Sequence, residues 1–146
     1  MQANGFELFQ HPLFRAQLEK LLADTEKIKK QHPKSFHEHK TVKLLAKIID
    51  LINVDIPNDP GHDRWNQGNT LGKEHRHWKR AKFGRYRLFF RYLATANQKA
   101  IIYVWINDEN TLRKAGDKND PYAIFERGLK RGHPQDSFEE LLKQSK

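Results

Sequence analysis

Apolar residues recur at helical spacing in the first third of the chain and at alternating spacing later, and this change of period divides it into elements. Phe14, Leu18, Leu21, Leu22, Thr25 and Ile28 fall on one side of a helix that starts at Pro12, a residue suited to a first turn, and runs to about Lys30. After a turn at Gln31–Lys34, a second helix is expected from about Ser35 to Val54. Val42, Leu45, Ile49 and Ile52 form its stripe, and Leu44, Ile48 and Leu51 widen it. Each helix has a single apolar face, so the pair is expected to fold as a hairpin against a sheet. From Ile56 to Lys79 periodicity gives way to Pro57, Asp59-Pro60-Gly61, Gly68 and Gly72, a long polar loop of the kind that is often functional or mobile, with short helical turns inside it.

Alternation begins at Ala81-Lys82-Phe83, breaks at Gly84 and continues over Tyr86–Leu93. A turn at Thr95–Gln98 leads to a second strand, Ala100–Ile106. Phe6–Phe9 is expected to add an N-terminal strand. One helical turn is expected around Thr111–Ala115. Asp120-Pro121 should cap a helix carrying Ile124, Phe125 and Leu129 that Gly132 stops, and Ser137 with Glu140 forms a capping box for a last helix carrying Leu141 and Leu142. The fold class is α+β: an N-terminal helical hairpin on one face of a twisted, mainly antiparallel sheet, followed by C-terminal helices. One helical layer would leave the other face of the sheet open.

Composition adds a partner class. With 146 residues and 37% apolar content, a single domain over 1–146 is expected, and the net charge of +9 draws it to polyanions. No apolar run approaches the roughly 20 residues that span a bilayer, and Met1–Gly5 lacks the basic and apolar parts of a secretion signal, so a cytoplasmic location is expected. The absence of cysteine excludes disulfides, thiolate zinc sites and a cysteine nucleophile.

The charge is concentrated. Arg64 to Arg91 holds nine Lys and Arg residues against one acid, Glu74. Alternation puts Tyr86, Leu88, Phe90 and Tyr92 on one face of the strand and Arg85, Arg87, Phe89 and Arg91 on the other. Guanidinium groups aligned in this way suit phosphate, to which they donate several fixed hydrogen bonds. Phe89, or Trp65, Trp78 and Tyr122 at the rim, could stack on unpaired bases, whereas Tyr103 and Trp105 belong to the core. Asn107–Arg113 offers acids at a strand end without a second acidic cluster. The pairs His37/His39 and His75/His77 lack a third ligand, so no metal and no cofactor is assigned. Metal-free RNA cleavage by the 2′-hydroxyl needs positive charge at the phosphate and proton carriers. His133 and Glu109 are candidates, with His77, Lys79, Lys82 and Tyr122 behind them.

The runs Lys82–Tyr92, Trp105–Arg113 and Leu129–Pro134, with His11-Pro12 and the Lys43–Ala46 helix, resemble the YhaV family of bacterial toxins within the RelE-like ribonuclease superfamily. The resemblance extends over almost the whole chain. It implies a microbial-ribonuclease-like fold and cleavage of mRNA, often on the ribosome. It also implies neutralisation by a PrlF-type antitoxin with an AbrB-like DNA-binding domain, the complex repressing its own operon. By position, Arg87 matches the arginine that contacts the reacting phosphate. Lys82 and Lys79 resemble lysines of the preceding strand, Arg113 a later catalytic arginine and Tyr122 a C-terminal tyrosine. Arg85 and His133 belong to the narrower family pattern. The expected catalytic set is thus Arg87, Arg85, Lys82, Arg113, Glu109, Tyr122 and His133, and the expected RNA-binding set is Lys79, Arg80, Phe89, Arg91 and Arg131. A non-catalytic RNA- or ribosome-binding module, or a co-repressor within a DNA-binding complex, would share the basic face.

Overall fold

The computed structural model describes residues 1–146. Its strands β1 (Gln2–Ala3), β2 (Phe6–Gln10), β3 (Lys79–Phe83), β4 (Tyr86–Ala94) and β5 (Lys99–Ile106) form one sheet in the order β1-β2-β5-β4-β3. Only the β2–β5 pair is parallel. β5 comes to lie beside β2 only after further helical segments and the β3–β4 hairpin, a connection that begins with helix α1 (Pro12–Gln31). The helix starts where expected: His11 caps it, Nδ1 accepting from the Leu13 N–H at 3.2 Å, and Pro12 takes the first position.

Helix α2 (Lys40–Asp50) begins later than its apolar stripe suggests. Phe36–Glu38 forms a separate 3-10 turn, and the His39 imidazole then caps α2 by accepting from the Thr41 N–H at 3.1 Å. A π-helical turn, Leu51–Asp55, leads into the short α3 (Ile56–Asn58). The buried Tyr103 hydroxyl donates to the Ile52 carbonyl in that turn at 2.7 Å, and burial pushes its phenol well above the ordinary value. Phe14, Leu18, Leu45, Ile48 and Ile52 pack on Leu88, Phe90, Ile101 and Tyr103, making the expected hairpin-on-sheet core.

The second face of the sheet is not open. Helices α4 (Pro121–Lys130) and α5 (Phe138–Gln144) cover it, and Tyr122, Phe125, Leu129 and Leu141 meet Phe89, Ile102, Val104, Leu71 and Trp78 in a second core. The sequence carried a sign of this. Ala100 to Ile106 is apolar at every position, as a strand buried on both faces must be, rather than alternating. A β-bulge shifts the pairing between Phe89 and Phe90, so that Val104 and Trp105 both lie against Phe89 and the second core becomes dense with aromatics.

Three expected base platforms are therefore core residues. Phe89 is fully buried and stacks on Phe125 with ring centres 4.3 Å apart, while Trp65 and Trp78 are buried by the loop that carries them. That loop, from Ile56 to Lys79, contains the expected short turns at Asp63–Trp65 and Lys73–His75 and is anchored by Trp65, Leu71 and Trp78. The helical turn expected at Thr111–Ala115 does not form. The Asn107 amide takes the Thr111 carbonyl at 2.7 Å, and the Arg113 N–H bonds the Arg85 carbonyl at 2.9 Å, which holds the segment extended.

Candidate functional site

The strands β3 and β4 meet in a tight turn at Gly84, whose φ of +59° favours glycine. The register of this hairpin sets the site. Arg80 lies opposite Phe89 and Lys82 opposite Arg87, so Arg80, Lys82 and Arg87 project to the same face, beside the N-terminus of α4. Lys79 pairs with Phe90 and therefore faces the other core. There it bonds Asn66, and burial lowers its pKa against the opposing pull of Asp63.

Three guanidinium groups converge on one phenol. The Tyr122 hydroxyl accepts from Arg80 Nε at 2.9 Å and from Arg87 Nε at 3.2 Å, and Arg113 lies over the Tyr122 ring at 4.6 Å. Tyr122 is only 6% exposed, so it is a post on which the cations are hung rather than an open surface. Their remaining bonds aim them further. Arg87 Nη1 donates to the Gly84 and Tyr86 carbonyls, Arg80 Nη1 to the Arg64 carbonyl, and Arg113 Nη1 pairs with Asp120 at 2.8 Å. Each guanidinium keeps its Nη2 without a partner inside the fold. A cluster of fixed, half-buried cations with spare N–H groups is a ready anion site.

Two buried polar residues build the frame, and sequence reasoning saw only part of their work. Asp120 caps α4, accepting from the Tyr122 N–H at 3.0 Å as expected. It also accepts from the Lys114 N–H at 2.7 Å and pairs with Arg113. Asn107, which opens the polar stretch after the last strand, is 3% exposed. Its Oδ1 accepts from the Arg87 N–H at 2.7 Å while its Nδ2 donates to the carbonyls of Arg85 and Thr111. Its signal in the sequence was a lone amide directly after an all-apolar strand. Arg85 is drawn into the same frame, its Nε donating to the Arg113 carbonyl at 3.0 Å.

Other expected site residues lie elsewhere. Glu109 sits 3.4 Å from Lys40 Nζ, in a cavity of about 480 Å³ between the helical hairpin and the Asn107–Asn110 segment. His133 is exposed past the C-terminal end of α4, about 15 Å of helix from Tyr122. Its backbone N–H bonds the Gly128 carbonyl at 2.8 Å, and any side chain at 128 would collide with the His133 carbonyl, which accounts for the glycine. Arg131 is exposed at the same end. Arg91 shares the face of Arg87 but is absorbed by the fold. It lies over the Trp78 ring at 5.3 Å and donates to the Asp136 carbonyl, and burial lowers its pKa against the pull of the Asp136 charge.

A second polar group surrounds Asp136. Its Oδ1 accepts from Trp78 Nε1 at 2.6 Å and lies 2.9 Å from His77 Nε2 and 3.5 Å from His75 Nδ1. Burial alone would raise this carboxyl, but the Trp78 and His77 hydrogen bonds and the field of the two imidazoles outweigh it and hold the pKa below the ordinary value.

A family model described as a toxin with endonuclease activity, of a toxin–antitoxin system, matches residues 8–146. The chain is 40% identical to the ribonuclease toxin YhaV of Escherichia coli K12 over 147 residues, covering 99% of this chain and 94% of that protein. It has the same identity and coverage with the toxin YhaV of Escherichia coli O157:H7. No solved structure gives a significant match.

Proposed function

The chain belongs to the YhaV family of toxin endonucleases, and from that premise we propose that it cuts mRNA on the ribosome with no metal ion in the reaction. The observation that carries the reading is the convergence of Arg80, Arg87 and Arg113 on Tyr122, each with Nη2 to spare. The 2′-hydroxyl attacks the adjacent phosphorus. The O2′–P bond forms, the P–O5′ bond breaks, and the product is a 2′,3′-cyclic phosphate with a free 5′-hydroxyl. Negative charge grows on the non-bridging oxygens in the transition state, where preorganised donors stabilise it most. Arg87 is the ligand of that phosphate, flanked by Arg80 and Arg113. Lys82, exposed and opposite Arg87, gives its proton to the leaving 5′-oxygen. With Asp120 committed to Arg113 and two backbone N–H groups, the 2′-proton passes to solvent or to the ribosome.

Tyr122, Asn107, Asp120 and Arg85 are positioning residues in this scheme, acting through the arginines they hold. The partner that silences the toxin is a PrlF-type antitoxin with an AbrB-like domain, and operator DNA is reached only through the complex. An excess of 27 basic over 18 acidic residues suits an acidic partner. The setting is the cytoplasm, where mRNA is translated; no helix is long and apolar enough to cross a membrane. The test is mRNA incubated with translating ribosomes, with EDTA added only in a parallel ribosome-free reaction. Fragments ending in 2′,3′-cyclic or 3′-phosphate are expected, and Arg87→Ala should leave the message intact. Intact RNA with the native chain would sink the reading, and equal cleavage by Arg87→Ala would remove the site.

A further inference from the structure

The group around Asp136 is not used by the cleavage scheme, and its geometry contains an anomaly. His75 is 9% exposed, yet its Nδ1, buried and turned toward the Asp136 carboxylate, has no hydrogen-bond partner. At 3.5 Å from Oδ1 it sits outside hydrogen-bond geometry. A buried imidazole nitrogen left in this way is uncommon in a folded chain and points to a missing partner. The sequence alone offered His75 and His77 without a third ligand. The fold supplies one by bringing Asp136, from the segment between α4 and α5, against the end of the loop that precedes β3.

We propose that His75, His77 and Asp136 form a zinc site that staples this loop to the α4–α5 segment. The three donor atoms lie within 4.8 Å of one another. Tetrahedral zinc with bonds of about 2.0–2.1 Å sets neighbouring donors roughly 3.4 Å apart. Asp136 Oδ1 is 2.9 Å from His77 Nε2 and 3.5 Å from His75 Nδ1, two separations close to that spacing. Two imidazoles with one carboxylate select zinc over magnesium or calcium, which take oxygen. The groups behind the ligands also fit. Trp78 Nε1 orients the carboxylate at 2.6 Å, and the Glu74 carboxylate, 3.9 Å from the other nitrogen of His75, adds negative charge beside the site. Arg91 bonds the Asp136 backbone carbonyl rather than its carboxylate, leaving the carboxylate to the metal. Water would complete the fourth position.

The site stands at the Arg91 end of β4, away from Arg87, so its role is to hold structure and it is independent of the cleavage scheme. The experiment is zinc titration of the full chain after chelator treatment, followed by calorimetry, thermal unfolding and the visible spectrum of the cobalt form. One equivalent bound, a rise in melting temperature of several degrees and a tetrahedral cobalt spectrum are expected. His77→Ala, a change at an exposed ring, should abolish all three, while His37→Ala, in the other histidine pair, should leave them intact. Absence of zinc-dependent stabilisation in the native chain, or equal uptake by His77→Ala, would overturn the proposal.

Discussion

The two ends of β4 carry the same side chain on the same face and put it to opposite uses. At one end Arg87 meets a phenol, two backbone carbonyls and two further arginines, and keeps part of its guanidinium free. At the other, Arg91 lies against Trp78 and Phe138 and bonds the backbone of Asp136. The charge of Arg91 is answered by a nearby carboxylate, whereas around Arg87 cations gather and the one acid, Asp120, is already paired with Arg113. What distinguishes the arginine proposed to bind phosphate from the structural one is its neighbours. Strand, spacing and residue type are shared.

The comparison can be broken by removing each arginine in turn. The largest effect expected is at Arg87→Ala: cleavage should fall by about 10²–10³-fold, with melting temperature and circular dichroism close to those of the native chain. Arg91→Ala should do the reverse. It strips packing from Trp78 and a charge-assisted bond from the Asp136 carbonyl, so a loss of about 2 kcal/mol in urea unfolding is expected, with cleavage per folded molecule nearly kept. An inactive, stable Arg91→Ala protein would merge the two ends into one site.

Tyr122→Phe sharpens the same contrast on a smaller scale. It removes the acceptor shared by Arg80 and Arg87 but retains the ring beneath Arg113, so kcat should drop about tenfold with little change in KM. An unchanged kcat would mean that the carbonyls alone aim Arg87. A milder separation is expected with pH. The buried His11 has its pKa lowered below 6.5, mainly by burial, with the neighbouring Gln135 and Gln144 side chains opposing the shift. The unfolded chain therefore takes up that proton first. The contribution to stability is full above the unfolded value and is lost as pH falls through the folded one. Urea midpoints should decline on acidification below about pH 6.5, and His11→Asn, which keeps a capping side chain, should flatten the decline. Binding of an RNA made uncleavable by a 2′-deoxy substitution should change little over the same range, because guanidinium groups do not titrate there.

Much of the frame was legible in the sequence. Pro12, the paired apolar stripes, Asp120-Pro121 and the Gly84 turn each marked an element that forms. Alternation correctly put Arg87 and Arg91 on one face, yet it could not separate them, because what separates them arrives from α4 and from the loop before α5. The second layer was hidden for a related reason: α4 and α5 are short, and which face of the sheet they cover is decided by contacts with distant residues such as Leu71 and Trp78. Neighbouring side chains were legible where one hairpin holds them, as with Lys82 and Arg87. They were hidden where contact depends on distant segments, as with Asp120 under Arg113 and Asp136 beside His75. Glu109 and His133 had suitable chemistry, but their chain positions place one beneath the helical hairpin and the other at the far end of α4.

The frame around Arg113 also bears on how freely this surface can change. Asn107 clasps the chain as it leaves β5, and Asp120 clasps it again before α4, also holding the Lys114 N–H. Residues 115 to 119 are thus a closed excursion between two fixed clasps. Doubling the length of such a loop costs only about 0.6 kcal/mol in closure entropy. Descendants of this chain could therefore lengthen, shorten or rewrite that excursion, altering what the rim meets, while inheriting the geometry of the arginines intact.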